Sequence, residues 1–260
     1  MLGYTRPATF LGAVTDREIR VSPPSPPPVA PPLETAEGFL AVVRAQIGER
    51  ARTWLAGAVA TTSVPLDRSG FATAFALATR QTGQAPPQPD GADASRLRAA
   101  GVTWSIAPWG LDGLARSALL LRAAAGLAPG EVEALVEQCY FQGDTRERQA
   151  VLRTLALLPD PARFIPLGVE ACRTSVQPVF EAIACENPFP ARHFPESSFN
   201  QMVLKAIFIE VAVGRILGLE GRITPELRRM AADYASERRA AGRSVPGDVA
   251  YLLGENGSRS

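Results

Sequence analysis

Residues 185–205 read Cys185-Glu186-Asn187-Pro188-Phe189-Pro190-Ala191-Arg192-His193-Phe194-Pro195-Glu196-Ser197-Ser198-Phe199-Asn200-Gln201-Met202-Val203-Leu204-Lys205. Three prolines and the only histidine of the chain stand here between two apolar stretches of helical period. Proline fixes one backbone dihedral and withholds an N–H, so the stretch reads as a stiff corner between helices. An all-α fold follows if the flanks are also helical.

Upstream, Thr174 or Ser175 is placed to cap a helix with Pro178 in its first turn and Val179, Phe180, Ile183 and Ala184 facing inward. Before it, Asp144 and Glu147 have the spacing of a capping box opening a helix to about Leu158. Asp160 followed by Pro161 reads as the cap of the next, with Pro166 shortening it. Helices are also expected over Leu111–Ala125 and from Pro129 to Tyr140. Helix starts at Asp144 and Thr174 are 30 residues apart, which predicts HEAT-like antiparallel helical pairs stacked as in an α-solenoid. Plain antiparallel helices with short loops fit that spacing as well.

Downstream, one long helix is expected from Glu196 to about Gly218. A second runs from Thr224 to Ala241, with Thr224 as cap, Pro225 after it and Gly242 as the stop. A short one covers Val249–Leu252. Toward the N-terminus, Leu40, Val43, Ile47, Ala51, Trp54 and Ala58 recur in one helical pattern from Glu34, and a second helix spans Leu66–Arg80. Thr82–Asp93 reads as a loop, Ser95–Gly101 as at most a short helix, and Trp104 and Trp109 as rings filling gaps between helices. No alternating strand pattern is present. The expected domain is 34–253, preceded by a disordered Pro-rich tail over 1–33 and followed by a tail over 254–260.

Lys+Arg number 27 and Asp+Glu 26, a formal charge of +1, which argues against nucleic acid as the partner. Apolar runs are too short to span a membrane, Met202–Val213 being broken by Lys205 and Glu210, and the start of the chain lacks the marks of a secretory signal. Cys139, Cys172 and Cys185 show no CxxC spacing and read as reduced thiols, so the expected compartment is the cytoplasm. Arg228, Arg229, Arg238, Arg239 and Arg243 form a basic strip on the last long helix, which reads as a solvated face.

Within the corner, Glu196, Ser197, Asn200, Gln201 and Lys205 fall on one half of their helix. Lys205 has no carboxylate at helical spacing, and a pair with Glu186 or Glu181 across the corner is predicted. Glu186, Asn187, His193, Glu196, Asn200, Gln201 and Lys205 are therefore the candidate ligand-binding residues, suited to a small polyhydroxylated or phosphorylated molecule, with His193 able to act as acid or base. A structural reading of the same residues has Asn187 capping a helix end, His193 bonding a carbonyl, and Asn200 and Gln201 satisfying the loop backbone. Cys185, His193 and Glu196 match no zinc spacing; no metal and no cofactor are expected.

The stretches Cys185–Pro190, His193–Glu196 and Phe199–Lys205, together with Arg146–Arg153 and Met230–Arg243, resemble the EboA family, most closely over residues 110–250 and loosely over 34–110. The resemblance implies a place in a bacterial gene cluster that also encodes a UbiA-type prenyltransferase, a dehydroquinate-synthase-like cyclase, a sugar-isomerase-like barrel protein and hydrolases. That cluster makes and exports a small prenylated metabolite. The expected function is accordingly that of a non-catalytic accessory or scaffold protein whose partners are the other proteins of the pathway. The alternative is an enzyme acting on a cyclitol-like or phosphorylated intermediate around residues 186–205. The family lends context and no catalytic residues.

Overall fold

A buried polar network pins the centre of the molecule in the computed structural model, which describes residues 31–254. It lies on α5 (Gly110–Ala125), a helix in which only Arg122 and Ala125 escape full burial. A helix apolar nearly all round must be enclosed by others. It packs against α1 (Pro32–Gln46), α2 (Glu49–Ala60), α3 (Arg68–Thr82), α6 (Pro129–Phe141) and α7 (Thr145–Thr154), while α4 (Gly91–Ala99) covers α1. From α7 the packing passes to α9 (Gln177–Ala184), which meets α8 (Ile165–Ala171), α10 (Phe189–His193) and α11 (Glu196–Phe208). Helix α11 then meets α12 (Pro225–Ala240), and α13 (Gly247–Leu253) closes against α12. The described residues carry no strand. The fold is all-α.

Several expected boundaries hold. Asp144 accepts from the Glu147 N–H at 2.8 Å while Glu147 accepts from the Asp144 N–H at 2.7 Å, the reciprocal capping box. Thr224 accepts from the Leu227 N–H at 3.2 Å with Pro225 behind it, and Gly242 follows the helix end at φ 67°. The Pro-rich tail expected over 1–33 and the tail expected over 254–260 lie outside the described residues except for residues 31–33 and Gly254, and α1 already begins at Pro32.

Other expectations need correction. The pattern from Leu40 to Ala58 is two helices, because the chain turns extended at Ile47 and Gly48. Residues 91–99 are helical where a loop running to Asp93 and then a short helix were expected, since Asp90 caps the Asp93 N–H at 2.7 Å. Asp160 caps nothing: it sits between two prolines at φ 48°, and its carboxylate accepts from Arg163 Nε at 2.6 Å. The cap of α9 is Val176, with Thr174 two residues too early and accepting from the Val176 N–H. Helix α11 ends at Phe208 rather than near Gly218. Its last turn is closed by the Glu210 N–H to Ile207 O (3.2 Å) and the Val211 N–H to Ala206 O (2.8 Å), with Glu210 at φ 60°. This is a Schellman stop whose left-handed residue is glutamate instead of glycine.

Candidate binding site

Helix α9 ends at Cys185, and the chain reverses at Glu186, whose φ of 46° places a non-glycine residue in the left-handed region. Arg215, in the irregular segment between α11 and α12, holds this reversal. Its carbonyl accepts from the Glu186 N–H at 2.9 Å, its Nε and Nη2 donate to the Glu186 carboxylate at 2.8 and 3.0 Å, and its Nη1 donates to Glu181 at 2.7 Å. Burial pulls the Glu181 carboxyl upward most strongly of any single effect, but the hydrogen bonds from Arg215 and Gln177 and the charges of Arg215 and Arg153 together hold the group below the usual carboxylate range. The Glu186 bond likewise raises Arg215 against desolvation.

Next, Asn187 is buried and uses its whole amide. Its Nδ2 donates to Leu152 O at 3.1 Å and Ala182 O at 2.9 Å, and its Oδ1 accepts from the Phe189 N–H at 3.0 Å. It thereby satisfies the first N–H of α10 and ties that helix to α7 and α9. His193 closes α10, half-buried, with its ring centroid 5.1 Å from that of Phe189. Burial and then the Arg192 charge lower its pKa, favouring neutral imidazole. Among the described residues no carbonyl accepts from its ring.

On α11 the predicted residues part company. Glu196 is exposed and accepts from Thr224 Oγ1 at 2.8 Å, bracing the start of α12. Gln201 faces solvent. Asn200 is buried at 1 % exposure, and its Oδ1 has no partner among the described residues. Lys205 pairs with neither Glu186 nor Glu181. Its Nζ donates to Cys172 O and Thr174 O, both at 2.6 Å, and lies 5.0 Å from the Phe180 ring centroid. The predicted pair fails because Arg215 already occupies both carboxylates, while the end of α8 turns two otherwise unbonded carbonyls toward the ammonium.

The corner thus brings Glu186 and Asn187 into one brace, sends Glu196 and Lys205 to separate neighbours, and leaves Gln201 outside. Lys205 alone of the seven lines a large opening, a groove of 710 Å³ between the α8–α9 turn, α11 and α12. Its wall is mainly apolar, with Leu204, Phe208, Ile209 and Tyr234, and Phe208 is 70 % exposed. The basic strip of α12 is largely spent: Arg229 binds Glu226 and Asp233, Arg228 donates to Leu252 O, and Arg238 to Ser244 O.

Sequence reasoning passed over Arg215, hidden inside an expected helix, and Phe208, the exposed last residue of α11. It also passed over the central network. There Asp112 is fully buried, accepts from Arg116 Nη1 at 2.8 Å, from Thr79 Oγ1 at 2.7 Å and from Arg146 Nε at 3.0 Å. Burial works to raise the Asp112 pKa, but these donors hold it below the usual range. Burial pushes all three thiols up to about 12, keeping Cys139, Cys172 and Cys185 protonated.

Among the described residues no three His, Cys, Asp or Glu side chains are placed to share a metal ion, and no helix is long and apolar enough to cross a membrane. No curated protein and no solved structure gave a match to the chain. A family does: residues 36–254, which contain nearly every helix and the whole corner, match the family described as metabolite traffic protein EboA, and the chain belongs to that family.

Proposed function

We propose that the protein is a non-catalytic accessory or scaffold component in the traffic of a small metabolite, working in the cytoplasm of a bacterium with the other proteins of a pathway that makes or exports a prenylated product. The observation that supports this most directly is how the corner spends its polar groups. Glu181, Glu186, Asn187 and Lys205 are engaged by protein donors and carbonyls, whereas the open surface beside them is the apolar groove around Phe208. Catalysis wants an acid, base or nucleophile free to meet substrate, and traffic wants a surface to dock. The groove is the docking surface of this reading, and its occupant is a partner protein of the pathway presenting an apolar segment. The succession α5, α7, α9, α11, α12 is read as HEAT-like stacking, which suits partner docking.

Deleting the gene and profiling metabolites by compartment tests the proposal. Loss of a traffic component leaves the product made but misplaced. Loss of an enzyme halts synthesis and accumulates one precursor, and that outcome would favour an enzyme acting on a cyclitol-like or phosphorylated intermediate around residues 186–205.

A further inference from the structure

A second groove, of 420 Å³, shares no residue with the first. It is lined by Trp104, Pro188, Arg192, Leu217 and Arg222, with Thr103 at its edge. Two guanidinium groups meet there, and their surroundings are short of anions. Arg192 makes no side-chain hydrogen bond or ion pair to any described residue; it lies half-buried over the Trp104 ring, 5.6 Å from its centroid. Arg222 donates to two neutral acceptors, Ala191 O at 2.6 Å and Phe194 O at 2.8 Å, and sits 4.4 Å from the Phe199 ring centroid. The carboxylate whose charge reaches Arg222 is Glu196, which is itself bonded to Thr224. The indole N–H of Trp104 is buried with no acceptor among the described residues. Burial lowers the pKa of both Arg192 and Arg222, the expected sign for cations withdrawn from water without full compensation.

Donors in excess of acceptors, on a wall that also carries an aromatic face, define the missing partner. We propose that this groove binds a small molecule with an oxyanion and a flat apolar body, the oxyanion held by Arg192 with Arg222 behind it and the body laid against Trp104, Pro188 and Leu217. A free guanidinium fork matches a carboxylate or phosphate through two parallel hydrogen bonds, and an aromatic wall beside it adds apolar contact. Arg222 fixes the wall rather than the ligand, since its donors tie α10 to the segment before α12. Gly218 lets that segment close in: at φ 72°, a Cβ there would stand 2.8 Å from the Ala191 Cβ.

Calorimetric titration of the full chain with phenyl phosphate, benzoate and phenol tests the site without assuming a physiological ligand. Saturable binding of phenyl phosphate or benzoate below about 10 mM is expected, with phenol much weaker, and the stronger of the two anions identifies the oxyanion class. Arg192→Gln should weaken that binding by at least about tenfold with at most a small drop in melting temperature, because the side chain makes no hydrogen bond or ion pair to the described residues and gives up only its contact with the Trp104 ring. The Trp104 indole signal in a nitrogen–proton correlation spectrum should move on titration. Binding of neither anion, phenol binding equally well, or full affinity in Arg192→Gln at unchanged melting temperature would each overturn the proposal. Should Arg192→Gln melt early, the comparison of anions with phenol on the unaltered chain still decides. The result is independent of the traffic reading, which concerns the other groove.

Discussion

Arg215 grips Glu186 from both directions: its carbonyl accepts the Glu186 N–H while Nε and Nη2 donate to the Glu186 carboxylate at 2.8 and 3.0 Å. The backbone reversal at Glu186, left-handed without glycine, is thus held by a residue 29 positions later, and Lys205 takes no part.

This assignment is checked by two double-mutant cycles on urea unfolding. Glu186→Gln with Arg215→Gln should show a coupling of about 1 kcal/mol, reduced by partial exposure of both side chains. Glu186→Gln with Lys205→Met should be additive within about 0.5 kcal/mol. Strong coupling in the second cycle would restore the pair expected from sequence.

Glu210 closes α11 at φ 60° with its side chain in solvent. A non-glycine residue there costs roughly 1–2 kcal/mol, partly offset by the extra unfolded-state freedom glycine brings. Glu210→Gly should therefore stabilise the protein by about 0.5–1 kcal/mol, measurable as a higher urea midpoint at unchanged slope. Destabilisation would mean that the carboxylate does something the geometry does not show.

Asp112 joins α3, α5 and α7 through Thr79, Arg116 and Arg146. Replacing it with alanine strands a buried guanidinium, since Arg116 is 1 % exposed, and should cost about 3–5 kcal/mol. Because its folded pKa is depressed, the contribution is full above the unfolded carboxylate value, about 3.9, and is lost as pH falls through the lower folded one. The variant should accordingly lose less stability than the parent on acidification below pH about 4.

His193 titrates nearer neutrality. Its folded pKa is lowered by burial against Phe189 and by the neighbouring Arg192 charge, so folding favours the neutral ring. That contribution is complete above the unfolded value of about 6.5 and declines as pH falls toward the folded one. Thermal scans across that range should show a downward step in melting temperature for the parent and a smaller one for His193→Gln. Equal steps would place the titration elsewhere.

What was legible in the sequence was local chemistry. The capping box at Asp144 and Glu147 and the Thr224-Pro225 start need only near neighbours, and both formed as spaced. The end of α11 was illegible because its left-handed residue is Glu210, where a glycine would have announced a stop. That hidden stop also concealed the placing of Arg215. The seven candidate residues are clustered along the chain, yet a helix turns neighbours to different faces, so Asn200 goes inward and Gln201 outward. Asp112 and Arg116 could have been noticed, being oppositely charged at i, i+4 within a mostly apolar helix.

Complementation of a gene-deletion strain weighs the groove against the corner most directly. Phe208 is exposed, so Phe208→Asp should fold normally and fail to restore the compartmental distribution of the metabolite. His193→Gln combined with Glu196→Gln, which removes the acid–base groups of the corner, should restore it. Restoration by Phe208→Asp together with failure of the double variant, both folded, would contradict the account and return the function to the corner.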